Sequence, residues 1–319
     1  MSGDLSDSGT GTGHDGTRPD HPGLYVTTSG GVVYCRPAAG TIEPAIESGT
    51  RRWTGFFGIA RHPRTGTIWT ACRARLGTRR IRKHSTDVIL YAIDPRTRRA
   101  EPAGEVPDVH DVHQIAVGDD HVFLTDTGLN RIHIWNLTSR STERIIEVGP
   151  VRDDVNHLNA LLIEAGYLLV GMNNRGREPA AIMRLPLDVI TGADREIIAA
   201  EPHADIIPLT GFEHTHDLEP WRGSLLACAS HDGMVLRTAP PEVLFSPGGW
   251  VRGLASEGDG LWVGISTPAE RADRHSRKLD GDVRFYRAPA WQEEERIHLP
   301  GVGQVHDLLR ADPEPLPGP

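Results

Sequence analysis

The chain has 319 residues, 38% hydrophobic and 24% charged, which is material for one large core or two ordinary ones. A net charge of −9 argues against nucleic acid or an anionic membrane surface as the main partner, and no apolar run approaches the ~20 residues that span a bilayer. Its three widely spaced cysteines, Cys35, Cys72 and Cys228, sit in apolar strand-like contexts, so buried free thiols in a reducing cytoplasm are expected.

Residues 1–22 are polar, rich in Gly and Ser, and lack the basic start and apolar stretch of a secretory signal; they read as a disordered tail. GLYVTTSGGVVYCRPAAGTIEPAIES follows as three short strands with no opener. FFGIARHPRTGTIWTACR, DVILYAIDP and RRAEPAG make the next set. HQIAVGDD, HVFLTDTG, RIHIWNL and TERIIEVG form the clearest unit, four strands joined by tight turns. The pattern returns three times. NHLNALLIEAGYLLVGMN leads to AAIMRLPL and REIIAAEP, and HTHDLEPWRGSLLACAS to GMVLRTA and EVLFSPG. WVRGLASEGDGLWVGIS leads to DVRFYRA and ERIHLPG. GVGQVHDLLRAD is an opener with no successors, and residues 313–319 read as a second tail.

The lone opener at one end completes the three strands at the other. The chain is therefore expected to be all-β, a six-bladed β-propeller spanning residues 23–312 and closed by N-terminal strands joining a C-terminal inner strand. Closure of this kind removes the exposed sheet edges of a linear array.

Propeller openers line a central channel. Aligning the six on their apolar step gives one ring of positions: Phe57, His113, Asn159, His216, Arg252 and His306. Two residues earlier lies a second tier of Gly55, Asp111, His157, His214, Trp250 and Gln304. Imidazoles that converge from separate blades suit a divalent transition metal, Fe(II) or Zn(II), with a position left for substrate. The expected ligands are His113, His157, His216 and His306. His214 is an alternative ligand or an acid–base group, and Asn159 a weak ligand or a hydrogen-bond partner of substrate. Arg252 cannot bind metal, but its fixed charge and fork of donors suit an anionic substrate or an oxyanion. Asp111, Asp217, Glu219 and Asp307 are candidates to orient a histidine or hold a water. Strand alternation turns Asp217 and Asp307 away from the channel. Phe57 and Trp250 supply an apolar wall. Two arginine-rich loops, 73–88 and 266–281, are expected beside the channel mouth, where they would attract an anion.

The layout resembles six-bladed propellers of the gluconolactonase and strictosidine-synthase kind, which implies a catalytic site in the channel. NHLNAL, HTHDLEPWRGSLL and WVRGLASEGDGLWVGIS are similar to a bacterial propeller group with HLN-[GA]-L and RGLA signatures and no settled activity. Gluconolactonase-like enzymes hold metal through an acidic residue, an Asn and an Asp. Asn159 matches the Asn, while histidines replace the carboxylates, which implies a softer ion than calcium.

The expectation is thus a metal-dependent enzyme, of oxygenase or lyase/isomerase type, acting on a small anionic molecule. Its rivals are a metal-dependent lactonase or hydrolase and a non-catalytic propeller scaffold. Neither a plain Ser-His-Asp motif nor a Gly-rich nucleotide loop is present. No oligomeric state follows from the sequence.

Overall fold

The computed structural model describes residues 21–47, 53–74, 86–150, 154–174, 178–270, 273, 276 and 278–311. Short β-branched runs between tight turns fold as the repeat requires, each opener pairing with the strand after it. The first three strands are β1 (Leu24–Thr28), β2 (Gly31–Arg36) and β3 (Thr41–Glu47). Blade one is β4 (Trp53–Arg61), β5 (Ile68–Ala74), β6 (Thr86–Ile93) and β7 (Ala100–Val109). Blade two is β8 (Ile115–Val117), β9 (His121–Asp126), β10 (Arg131–Asn136) and β11 (Ser141–Glu147). Blade three has β12 (Leu158–Glu164), β13 (Tyr167–Met172) and β14 (Ala181–Pro186), followed by a short helix α1 (Leu187–Gly192). Next come β15 (Ile197–Ala199) and β16 (Asp205–Pro208). Blade four is β17 (Thr215–Trp221), β18 (Ser224–Ala229), β19 (Met234–Thr238) and β20 (Pro241–Phe245). Blade five is β21 (Trp250–Glu257), β22 (Gly260–Ser266), β23 (Gly281–Arg287) and β24 (Gln292–Leu299). Finally β25 (Val305–Arg310) pairs with β1, Leu24 opposite Arg310 and Val26 opposite Leu308, which closes blade six.

The protein is a six-bladed β-propeller. One strand departs from the sequence reading. REIIAAEP was expected to be the outer strand of blade three, yet β15 runs parallel to β11 as a fifth strand of blade two, and β16 takes the outer place in blade three. The helix α1 carries the chain back to the neighbouring blade's edge, and parallel pairing covers that edge.

The core lies between blades. Ala116, Phe123 and Ile132 of blade two pack with Leu158, Val170 and Met183 of blade three, and the other interfaces are built in the same way. At about 25 cal/mol per Å² of apolar surface, such sheet-on-sheet burial is the main stabilising term. Cys35, Cys72 and Cys228 are free and buried, as expected, and burial pushes the Cys35 thiol up to about 12. His21, assigned to the tail by composition, is buried instead. Its Nδ1 lies 2.6 Å from Glu257 Oε1, and its ring packs against Trp262 and Phe285. Among the described residues no helix is long and apolar enough to cross a membrane.

Candidate functional site

Four of the six second-tier residues accept an equivalent hydrogen bond. The amides of Ser29, Thr127, Asn173 and Ser230 donate to the carbonyls of Gln304, Asp111, His157 and His214, at 2.9, 3.4, 3.3 and 3.2 Å. This confirms the alignment of four blades but not the simple alternation behind it. Asp111, His157 and His214 have φ of 76°, 49° and 54°, so the chain enters each inner strand through a left-handed residue. Two residues on, the register slips again, between His216 and Leu218 in blade four and between Phe57 and Ile59 in blade one. Such bulges re-aim side chains.

The ring positions divide the channel into two halves. Blades two to four contribute His113, Asn159 and His216 from the ring, with His157 of the second tier beside them. The rings of His113 and His157 are 5.1 Å apart, and those of His113 and His216 are 6.4 Å apart. Hydrogen bonds fix the tautomers. Ser230 Oγ donates to Val251 O at 2.7 Å, so its proton is used and His216 Nδ1–H donates in turn, 2.8 Å from that Oγ and 3.0 Å from His214 O. His216 Nε2 is therefore the acceptor. His157 Nδ1 donates to the Asp154 carboxylate at 2.9 Å, and His113 Nε2 faces Asp111 Oδ2 at 3.5 Å. Burial holds both His113 and His216 neutral: His113 falls to about 4 against the pull of Asp111, and His216 lies well below the usual imidazole value, with Arg252 adding to the effect.

The opposite half is cationic. His306 lies 4.2 Å from Phe57, ring centre to ring centre. Arg252 Nη1 donates to His306 Nδ1 at 3.4 Å, so His306 Nε2–H donates to Ser29 Oγ at 3.1 Å. Arg73, at the end of β5, lays its guanidinium carbon 4.3 Å from the centre of the Phe57 ring and forms an ion pair with Asp111. Burial works against ionisation of Asp111, yet Arg73 and the nearby histidines hold its carboxyl well below the usual range.

Both ring nitrogens of His306 have protein partners, Nδ1 in Arg252 and Nε2 in Ser29. Among the described residues no group of three or more His, Cys, Asp or Glu side chains is gathered to hold an ion. His214 packs at a tilt against His231, which stacks on Trp250, with ring separations of 4.1 and 5.3 Å, and Asn173 Nδ2 donates to its Nδ1 at 3.1 Å.

Asp217 and Asp307 turn out of the channel. Asp217 Oδ2 accepts from Leu254 N of blade five at 2.5 Å. Asp307 Oδ2 accepts from Ile59 N of blade one at 2.8 Å and from Gln114 Nε2 of blade two at 3.0 Å. Both therefore tie neighbouring inner strands together. Burial pushes Asp307 up to about 7 and Asp217 well above its ordinary value, and the charges of Asp307 and Glu219 raise Asp217 further.

Sequence reasoning missed Arg73, Ser29, Ser230 and Asp154. Arg73 was counted among the loop cations, and the rest of loop 73–88 lies largely outside the described residues, as does part of 266–281. The serines carried a faint signal: each follows the second strand of a blade whose ring residue is histidine.

No family model matches the chain, and no curated protein matches it. Similar solved structures exist. A chain of a nidogen/laminin complex superposes with a TM-score of 0.64 at 12% identity, over 90% of this chain and 97% of that one. A Thermus thermophilus protein proposed to be an oxidoreductase (glucose dehydrogenase) gives a TM-score of 0.50 at 16% identity, over 76% and 87%. At these identities the likeness is one of fold. Of the expected resemblance the six-bladed fold is shown, and no family or signature is.

Proposed function

We propose that the channel is the active site of an enzyme that binds a small organic anion at Arg252 and moves a proton with the neutral imidazole of His216. One observation carries this reading. Ser230 and the His214 carbonyl hold His216 as the Nδ1–H tautomer, which makes Nε2 a base at the level of a fixed cation in the next blade. A base keeps its lone pair near neutral pH only if something suppresses protonation, and burial beside Arg252 does so. When the ligand gives up its proton, His216 becomes an imidazolium and the electron pair left on the ligand is stabilised by Arg252. His113 is the second neutral imidazole within reach, oriented by Asp111, which Arg73 anchors. Chemistry of this kind belongs to isomerases and lyases, and no step in it is routed through a metal.

Proton exchange provides the test. Lactate, pyruvate, malate and succinate are incubated separately with the protein in D2O and followed by 1H NMR. Wild type is expected to remove a C–H signal from at least one acid, and His216→Asn to slow that loss at least 100-fold. Exchange that proceeds equally in the variant, or in no acid at all, would overturn the catalytic reading and leave the propeller as a scaffold.

A further inference from the structure

Two neutral imidazoles face the same part of the channel, and removing a proton needs only one of them. Arg73 keeps Asp111 ionised, and the Asp111 carboxylate takes the Nε2–H of His113, with Oδ2 3.5 Å from that nitrogen. The lone pair of His113 is therefore on Nδ1, as that of His216 is on Nε2. Buried polar atoms without a hydrogen-bond partner occur elsewhere in the channel, Asn159 Oδ1 and Gln304 Nε2 among them, but neither of these two nitrogens is one. The His113 side chain keeps 15% of its surface and His216 8%, so a ligand in the channel reaches both.

Their separation suits a single carbon atom. The rings come from blades two and four, on either side of blade three, with centres 6.4 Å apart and planes at 55°. Reacting atoms approach to about 3–3.5 Å, so two nitrogens roughly 6–7 Å apart meet opposite faces of a carbon seated between them. Charge divides the labour. His216 has Arg252, His113 and His157 beside it, all opposing its protonation, with only the His214 carbonyl in favour. Asp111 pulls a proton toward His113 against burial, Arg73 and His157, the last oriented by Asp154. An imidazolium at His113 also opposes a second one at His216, so the pair carries at most one proton, and it sits on His113.

We infer that His216 and His113 are opposed proton-transfer groups and that the enzyme inverts a stereocentre next to its substrate's carboxylate, as a racemase or epimerase. This rests on the base reading above and adds the reaction. His216 Nε2 takes the α-proton, the C–H bond breaks, and its electron pair moves into the carboxylate as an enolate. The Nδ1–H of a His113 imidazolium then protonates the other face, and the enolate pair returns to carbon as a new C–H bond. Solvent takes the proton from His216 and reloads His113, so no oxidant, reductant or further reactant is needed. In the reverse direction the two exchange roles.

The separate enantiomers of malate and of mandelate, incubated with the intact protein in D2O, test the assignment, with 1H NMR reading exchange and circular dichroism reading configuration. Wild type is expected to turn at least one of them into its mirror image, deuterated at the α-carbon. Inversion should quicken about tenfold from pH 7 to pH 6, because above the His113 value of about 4 its protonated fraction grows in proportion to acidity. In His113→Asn, exchange through His216 is expected to persist with configuration retained. The wild-type measurements stand alone if that variant folds poorly. Exchange with full retention in wild type, or an inversion rate flat between the two pH values, overturns the two-sided assignment and leaves His216 as a base. Inversion undiminished in His113→Asn overturns the role of His113. No exchange in any of the four compounds removes the base reading and this inference with it.

Discussion

Glu219 shares β17 with His216, and its backbone surroundings set an unusual charge problem. Its Oε1 accepts from Ser256 N at 2.7 Å, tying blade four to blade five. Burial raises its pKa from 4.5 to about 7, Asp307 adds to the effect, and Ser256 and Arg310 oppose it. A carboxyl whose folded value is raised stabilises fully below its unfolded value, and that contribution fades as pH climbs through the folded one. Wild type should therefore lose stability between pH 5 and pH 8 in part through this side chain. Glu219→Gln keeps the oxygen that accepts from Ser256 and cannot ionise. Urea denaturation at the two pH values should show its fall to be smaller than that of wild type by about 1–2 kcal/mol. An identical fall would mean that Glu219 is already charged at pH 5. His113 acts at the other limb. Its folded value of about 4 lies below the unfolded 6.5, so its contribution is complete above pH 6.5 and is lost as acid carries the solution toward pH 4. The residue types of the site, and even their tiers, were legible in the sequence. Their partners were not: Ser29 and Arg73 reach His306 and Asp111 only because strands distant in the chain lie side by side, and Ser230 reaches His216 across the β17–β18 hairpin.

At the scale of the element, the inner strands are not regular, and the irregularity positions the site. Gly58 has φ +68° at the slip between Phe57 and Ile59, and a Cβ there would lie 2.4 Å from Ile115 N of the next blade. Gly253 is similar, with φ +80° and Asp307 and Leu308 backbone 2.9 Å from a built Cβ. Small residues at these steps let adjacent inner strands approach around the axis. Gly40, in the turn between β2 and β3, has φ +62° and open space around it. Alanine at Gly40 should cost about 1–2 kcal/mol for its left-handed backbone alone. At Gly58 it should cost roughly 3 kcal/mol or more, because backbone rather than a flexible side chain blocks it. Guanidinium denaturation of the two variants checks the ranking, and equal costs would show that the blades are free to move apart. The apolar step that aligned the repeat was visible as sequence. That it coincides with a bulge was not, because a slipped register leaves the same residue types in the same order.

For the whole molecule, the ring closes only through β25. All five residues of β1 are buried, and β1 lies between β2 and the C-terminal strand. A chain ending at Gly303 should expose β1 as a long apolar edge and open blade six. Size-exclusion chromatography is expected to show it as soluble oligomers or aggregates, and thermal melting to lose the single sharp transition of the full chain. A monomer with the wild-type melting temperature would mean that the remaining blades hold the ring without it.

Turn residues, β-branched runs and the unmatched opener at the C-terminus determined the all-β class, the number of blades and the mode of closure, because these follow from local periodicity and from the need to cover sheet edges. The same repeat placed Phe57, His113, Asn159, His216, Arg252 and His306 at one level. Tertiary structure alone decided what that level does. It engaged both nitrogens of His306, brought Arg73 onto Phe57 and Asp111, sent β15 to the edge of blade two, and left His113 Nδ1 and His216 Nε2 as acceptors. Hydrogen-bond direction and burial depend on which strands meet across the axis, and no local pattern in the chain encodes that meeting.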